Sequence, residues 1–394
     1  MPKFDLPETA NTGPVIKVIG VGGGGGNAIS HMVKAGIDGV EFICADTDNQ
    51  NLRARRVDSV IQLSESVTEG LGAGMRPEKG AEAAEQVEQQ IADTIRGANM
   101  LFIAAGLGGG TGTGAAPVVA RIAKELGILT VAVVTKPFGF EGGNRMGLAT
   151  EGREELLRFV DSMITIPNDK LPQVLGNDFP MLDAFAAGNE ILHNAVQGIS
   201  DLITKSGLIN VDFADVRTVM SEMGTAMMGG GVSTTAGSRA REAAEQAIAS
   251  PLLEDIDLSG AKGILVNVTS GPNITMGEFQ EVGEIVRGIA APDANIIAGT
   301  VIDPEMGDEF RVTVVATGIG GAANQQPAPL QAVRTPMAEN QVEEEVSMQS
   351  TGTDGVATPM LRPQRNVRVT VPEGVQGYDD QYFDAPAFLR RMND

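Results

Sequence analysis

Nine residues, Gly-Leu-Gly-Gly-Gly-Thr-Gly-Thr-Gly (Gly106–Gly114), constrain the fold more than any other stretch of the 394-residue chain. They follow Met100–Ala105, an apolar run that reads as a buried strand. They precede Ala115–Leu126, which reads as a helix with Pro117 in its first turn and Gly127 after its end. A glycine loop held between a strand and a helix turns its backbone N–H groups toward one point, and the helix N-terminus adds partial positive charge there. The pattern predicts an anion site, most often one for phosphate. Thr111 and Thr113 add hydroxyl donors. A flexible linker is the competing reading of a glycine run, but linkers are rarely flanked so closely by a strand and a helix.

The same unit occurs earlier. Val15–Val21 reads as a strand, Gly22–Gly26 is five consecutive glycines followed by Asn27, and Ile29, Met32 and Val33 keep helical spacing. Gly20, Gly22 and Gly25 also satisfy G-x-G-x-x-G. The next strand, Val40–Ala45, ends at Asp46 about 20 residues after the loop, where a dinucleotide fold carries an acid for a ribose hydroxyl. An NAD-dependent oxidoreductase is thus an open alternative at this point.

Further on, Ser66–Met75 is a loop containing Gly70, Gly72, Ala73 and Gly74, and Pro77 opens a helix expected to run to about Arg96. Ile128–Thr135 is another apolar strand, leading through Lys136-Pro137-Phe138 to the loop Gly139–Asn144 and a helix to about Val160. Ser162–Ile166 is a short strand ending at Pro167-Asn168. Strands alternating with helices imply a parallel sheet wound with right-handed crossovers. Ligands bind such sheets at the carboxyl ends of the strands. Gly22–Asn27, Gly72–Gly74, Gly108–Gly114, Glu141–Arg145 and Asn168 all fall there, and their convergence says more than any one of them.

Met181–Lys205 is the longest helical pattern, with Leu182, Phe185, Leu192, Val196, Ile199 and Ile203 at helical spacings, and Gly207 ends it. In the next segment Asp212 and Asp215 straddle the start of a helix, Phe213–Glu222, where acids ordinarily cap and complement the dipole. Gly224–Gly237 is a glycine-rich interval leading to helix Arg239–Ala249. Lys262–Thr269, Ala294–Ile302 and Phe310–Ala316 read as strands and Met276–Ala290 as a helix, together a smaller α/β domain.

Composition narrows the function. The formal net charge of −22 argues against a nucleic-acid partner, which needs a basic face. Two histidines and one cysteine exclude a zinc site of the usual spacings. Cys44, in an apolar run, reads as a buried thiol of a reducing compartment, and no stretch reads as a membrane span or secretory signal, so a cytoplasmic protein is expected. Residues 319–394 change character, with seven prolines and six basic against ten acidic side chains. Most of this reads as a disordered linker. The end differs: Tyr382, Phe383, Phe388 and Leu389 cluster beside Arg390 and Arg391, as in a peptide that folds on a partner.

Two phosphate cradles suit a triphosphate better than the single pyrophosphate loop of an NAD enzyme. G-x-x-x-x-G-K-[ST] is absent, so this is not a P-loop protein. Without a P-loop lysine, phosphate charge falls to backbone dipoles and Mg²⁺. Hydrolysis needs a group to orient water, and the nucleotide half offers no obvious one.

Gly108–Gly114 resembles the signature of the tubulin/FtsZ superfamily. Gly207–Asp215 (Gly-Leu-Ile-Asn-Val-Asp-Phe-Ala-Asp) resembles the synergy loop of its bacterial cell-division branch, and Asp384–Arg391 (Asp-Ala-Pro-Ala-Phe-Leu-Arg-Arg) the branch's terminal peptide. The resemblance runs from about 13 to 318 and resumes at the tail. It implies a tubulin-like α/β fold with a Rossmann-type parallel-sheet GTPase domain, and this division of the chain: 1–13 a disordered arm, 14–178 the nucleotide domain, 179–206 a central helix, 207–223 the synergy loop and following helix, 224–318 a C-terminal α/β domain, 319–378 a disordered linker and 379–394 a partner-binding peptide.

The resemblance also implies a site for GTP or GDP with Mg²⁺. Gly22, Gly23, Gly24, Gly25, Gly26 and Asn27, with Gly72, Ala73 and Gly74 and with Gly108, Gly109, Gly110, Thr111, Gly112, Thr113 and Gly114, form its phosphate loops. Glu141 and Arg145 match contacts to ribose and nucleotide, Asn168 matches a ribose contact, Phe185 stacks on guanine and Asn189 reads its edge; Asp46 joins the site from its dinucleotide-type spacing. On the residues alone, a buried phenylalanine and a capping asparagine remain the alternatives for the last two. Asp212, Asp215 and Asn210 are implied as catalytic, but a helix of roughly 25 residues spans about 35 Å, so they cannot reach their own phosphates. They would enter the next subunit's site in a head-to-tail filament, a heterologous contact. The implied protein is a polymerising GTPase of the division ring at mid-cell, on the inner face of the membrane but not inserted in it. Asp384–Arg391 would take adaptors such as the actin-like FtsA and the anchor ZipA, and negative regulators. A monomeric GTP switch and a non-hydrolysing scaffold are the rivals.

Overall fold

The computed structural model describes residues 13–175, 180–205, 207–209, 211–222, 224–250, 252–253 and 261–319. Asn210, the arm up to residue 12 and everything from 320 on, including Asp384–Arg391, lie outside the described residues. Strand β1 (Ile16–Val21) passes directly into helix α1 (Gly22–Ala35), followed by β2 (Val40–Asp46), α2 (Asn49–Arg53), β3 (Ser59–Gln62) and α3 (Glu65–Thr68). Helices α4 (Pro77–Glu85) and α5 (Glu88–Ile95) lead to β4 (Met100–Gly106), α6 (Thr111–Glu125), β5 (Leu129–Lys136), α7 (Gly143–Leu157) and β6 (Ser162–Pro167). The short α8 (Leu171–Leu175) precedes the long α9 (Met181–Thr204) and α10 (Phe213–Met220). The remainder is β7 (Gly224–Ser233), α11 (Arg239–Ile248), β8 (Gly263–Ser270), α12 (Met276–Ile289), β9 (Asn295–Ile302) and β10 (Phe310–Ile319).

The strands form one sheet in the order β3-β2-β1-β4-β5-β6-β7-β10-β8-β9. From β3 to β7 every pairing is parallel, as the alternation of strands and helices predicts. The parallel strands are buried on both faces, so they read as continuous apolar runs. Alternate residues serve opposite cores: Val18, Phe102, Val131 and Val133 pack with α1 and α9, whereas Ile19, Ile103, Ala132 and Val134 pack with α5, α6 and α7. A third core lies between α11, α12 and strands β8 and β10. Strands β6 and β7 share only three residue pairs, Ser162↔Gly224, Met163↔Thr225 and Ile164↔Ala226, so the expected nucleotide and C-terminal regions meet at a short seam in one continuous sheet.

Two expectations change, and one interval gains an element. The helix expected from Pro77 to about Arg96 is two helices, because Val87 leaves helical geometry (φ −118°, ψ 22°) and its N–H closes a tighter bond to the Ala84 carbonyl. Pro117 lies in the second turn of α6, not the first, because that helix starts four residues earlier, at Thr111. The glycine-rich interval from Gly224, which the sequence assigns to no element, forms the ten-residue strand β7. Its glycines answer to packing: a Cβ on Gly229 or Gly231 would strike the carbonyl oxygens of Ala247 or Ala243, so α11 can lie on β7 only where side chains are missing. Among the described residues no helix is long and apolar enough to cross a membrane.

Candidate functional site

The carboxyl ends of β1, β2, β4, β5 and β6 border a cleft of about 390 Å³, within the size range of small-molecule sites. Its floor is Gly23, Gly24 and Asn27 from α1 and Gly109, Gly110, Thr111 and Gly112 from the start of α6. Gly72, Ala73 and Gly74 form one wall, and Glu141, Arg145 and Asn168 another. Phe185 and Asn189 of α9 close the far side. Five separate sequence signals thus meet in one place.

Two helices open onto the cleft without caps. Val21 precedes α1 and Gly110 precedes α6; neither accepts a first-turn N–H through a side chain, and neither helix has an acid in its first turn. Asp48 and Thr275 cap α2 and α12 with their side chains, but α3, α4, α5, α7, α9, α10 and α11 also start without a side-chain cap. What sets α1 and α6 apart is that both starts border one cleft and carry no acid. An uncapped N-terminus leaves orphan N–H groups and the positive end of the helix dipole for an anion. The five glycines expected as a loop are therefore the first turn of α1 itself.

Not every residue assigned to the cradle faces it. Gly22, Gly25, Gly26, Gly108, Thr113 and Gly114 stand behind the lining. A Cβ on Gly25 would meet the carbonyl of Ala104, and one on Gly114 that of Pro77, so these glycines let α1 approach β4 and α4 approach α6. The Thr113 hydroxyl accepts from the Gly108 N–H at 2.8 Å, pinning the loop. Across the cleft floor the Thr47 and Thr111 hydroxyls share a bond of 2.6 Å.

Asp46 lines the cleft, but its carboxylate is committed inward. One oxygen accepts from the Thr47 and Asp48 N–H groups at 2.7 and 3.2 Å, the other from the Asn51 amide at 3.3 Å. Burial raises its pKa, and the two backbone bonds and Asn51 oppose that shift. Its geometry organises the turn into α2, and the expected ribose contact gains no support from it. Asp48 and Asn51, which the sequence reading did not single out, line the cleft beside it. So do Thr135 near the end of β5, Pro137 just after it, and Ala184, Gly188 and Leu192 on α9. The α9 residues continue the helical stripe of Phe185 and Asn189 and follow from its period.

Phe185 is 44 % exposed, so the buried-core reading of that ring is set aside. Asn168 is buried, and its side-chain oxygen has no hydrogen-bond partner among the described residues. The Arg145 guanidinium pairs with Glu141, which also accepts the Phe138 N–H at 2.9 Å.

The acids lie elsewhere. Asp212 occupies the N-cap of α10, yet its side chain accepts no cap hydrogen bond; only its carbonyl accepts, from Asp215 and Val216. Both carboxylates are exposed and make no hydrogen bond or ion pair among the described residues. Neither borders the cleft. They follow the far end of α9, whose 24 residues rise about 36 Å.

Residues 15–176 match the model of the tubulin/FtsZ family GTPase domain, and 224–320 that of the FtsZ family C-terminal domain. The cell division protein FtsZ of Coxiella burnetii is 53% identical over 400 residues, covering 99% of this chain and all of that protein. The FtsZ of Pseudomonas putida is 50% identical over 401 residues, with the same coverage. Among solved structures, an empty FtsZ dimer from M. jannaschii superposes with a TM-score of 0.75 at 46% identity, over 78% of this chain and 89% of that one. CetZ2 of Haloferax volcanii, 21% identical with a TM-score of 0.67 over 77% of this chain and 93% of that one, shares the fold. An uncapped double cradle on a parallel sheet, joined to a second domain of matching family, makes this chain a member of the tubulin/FtsZ family of GTPases, in its FtsZ cell-division branch.

Proposed function

We propose that the cleft binds GTP and GDP, and that hydrolysis awaits the acids of a second subunit in a head-to-tail filament. One observation carries this reading: the cleft and the two unpaired carboxylates, Asp212 and Asp215, stand at opposite ends of α9. In this reading the uncapped termini of α1 and α6 hold the phosphates, and Gly72–Gly74 close over them. Glu141, Arg145 and Asn168 serve the ribose; the unpartnered Asn168 oxygen is an acceptor that a hydroxyl would satisfy. Phe185 and Asn189 take the guanine. Among the described residues Arg145 is the one cationic side chain in the lining, so Mg²⁺ would supply phosphate neutralisation, and the phosphates would be its main ligands. Asp212 and Asp215, aided by Asn210, orient the attacking water in the neighbour's site.

Apolar side chains left bare at both poles favour such contacts. Leu71 is 78 % exposed beside the cleft and Leu208 72 % exposed beside the acids. The relative from M. jannaschii is described as a dimer. Filaments of this kind would build the division ring on the inner face of the membrane at mid-cell, tethered through Asp384–Arg391 to FtsA- and ZipA-like adaptors and opposed there by negative regulators.

The test is phosphate release from GTP with Mg²⁺ across a range of protein concentrations. Turnover per molecule near zero below a threshold and rising above it supports a site completed between subunits. Turnover that is flat with concentration refutes it, even where GTP binds.

A further inference from the structure

The ring of Phe185 is 44 % exposed on α9. Its sequence neighbours Ala184, Ala186 and Ala187 and, one turn on, Gly188 are all small. The ring meets Phe138. Their centroids are 5.2 Å apart and their planes 82° to one another, the edge-to-face arrangement that aromatic quadrupoles favour.

Phe138 does not border the cleft. It is 5 % exposed and fixed from several directions. Phe140 stacks on it at 5.0 Å and 15°. Its N–H donates to Glu141, whose other oxygen holds Arg145, and the next N–H, of Gly139, donates to Asp169 at 2.7 Å. The loop after β5 is thereby tied to α7 and to the end of β6, and through one ring contact to α9.

We infer that Phe138 is a positioning residue for purine recognition: a fixed ring that sets the tilt of Phe185 against the base. The inference rests on the reading of Phe185 as the guanine platform. A perpendicular contact occupies at most one face of Phe185 and leaves the other for a purine. A residue needed only for volume would serve as well if it were leucine or methionine, since either fills such a space at small cost. The edge-to-face contact needs a ring. With one face of Phe138 already covered by Phe140, the loop presents that ring in a single orientation.

The test compares GDP with ribose 5-diphosphate, which keeps the phosphates and sugar and lacks the base, by titration calorimetry on the full chain. Phe138→Leu is expected to weaken GDP binding about two- to tenfold, the range of aromatic pair energies, and to leave ribose 5-diphosphate binding unchanged. Phe185→Ala should do the same more strongly, and the double variant should bind GDP no worse than Phe185→Ala alone. Equal losses for both ligands would mean that Phe138 only supports the fold, and would overturn the inference. So would strict additivity in the double variant, or full GDP affinity in Phe138→Leu alongside a loss in Phe185→Ala. Unchanged GDP binding in Phe185→Ala would overturn the platform reading itself. Phe138→Met provides a second ringless side chain should the leucine variant fold poorly.

Discussion

Asp212→Asn removes one charge and keeps the shape. The residue is exposed and its side chain makes no bond, so stability should change by no more than about 0.5 kcal/mol. Asp212 does not border the cleft and follows the opposite end of α9, so GTP affinity should be unchanged. Turnover should fall by about 10² to 10⁴, the usual worth of a group that positions or activates water. A complementary variant, Gly112→Ala, damages the other half of the site. Its Cβ would lie 2.5 Å from the Gly106 carbonyl oxygen, pushing the start of α6 off β4, and GTP binding should be lost. Each variant alone is then inactive. Mixed in equal amounts in one filament, a quarter of random contacts pair an intact cleft with an intact acid, so about a quarter of wild-type turnover should return. The assay is phosphate release, with sedimentation to establish that both variants enter the pellet. A mixture that co-sediments yet stays inactive refutes the shared site. Loss of GTP binding by Asp212→Asn alone would instead give the acid a structural role at α10.

Three further outcomes follow from packing and titration. Gly231→Ala should lower stability by about 1–3 kcal/mol, because α11 must lift from β7, whereas Gly230→Ala, with open space around it, should not; thermal melts compare them. Burial holds the His193 imidazole below its ordinary pKa, against the pull of Glu190, with His31 and Arg311 adding to the lowering. The unfolded chain takes up that proton near pH 6.5 and the folded chain only lower. This residue's contribution is therefore lost as pH falls from about 6.5 through the folded value, and His193→Gln should flatten that limb of a urea-stability profile. Burial pushes the Cys44 thiol up to about 11, so it should resist iodoacetamide at pH 8 in the folded protein and react once unfolded.

The parallel sheet and the cleft edge were legible because their signals are local. Apolar runs and glycine loops at Gly22–Gly26 and Gly106–Gly114 carry the chemistry of burial and of anion binding in consecutive residues. What was not legible depends on partners distant in sequence. The strand β7 reads only as a glycine-rich interval until α11 is seen lying on Gly229 and Gly231. The break at Val87 has no proline or glycine to announce it, and nothing local to Asp46 announces that its oxygens accept from Thr47, Asp48 and Asn51.

The acids teach a different lesson. Local rules assign Asp212 and Asp215 to capping, and the family resemblance assigns them to a neighbour's site. The backbone puts Asp212 at the N-cap position, yet the side chain leaves the N–H groups alone. The starts of α1 and α6 likewise go uncapped, and the Phe185 ring likewise stays out of the core. A missing cap alone is common in this chain, at α3, α4, α5, α7, α9 and α11 as well. What is particular is that the starts of α1 and α6 border one cleft, that the Phe185 ring forgoes burial beside it, and that Asp212 holds a cap position with its carboxylate free among the described residues. A departure without local compensation points to a partner that supplies it. In the proposed function that partner would be a phosphate chain for α1 and α6, a base for Phe185, and the water and phosphate of another molecule for Asp212. The same reasoning bears on stability: nucleotide should raise the melting temperature of the folded chain on its own, whereas the gain from satisfying Asp212 should appear only above the assembly threshold.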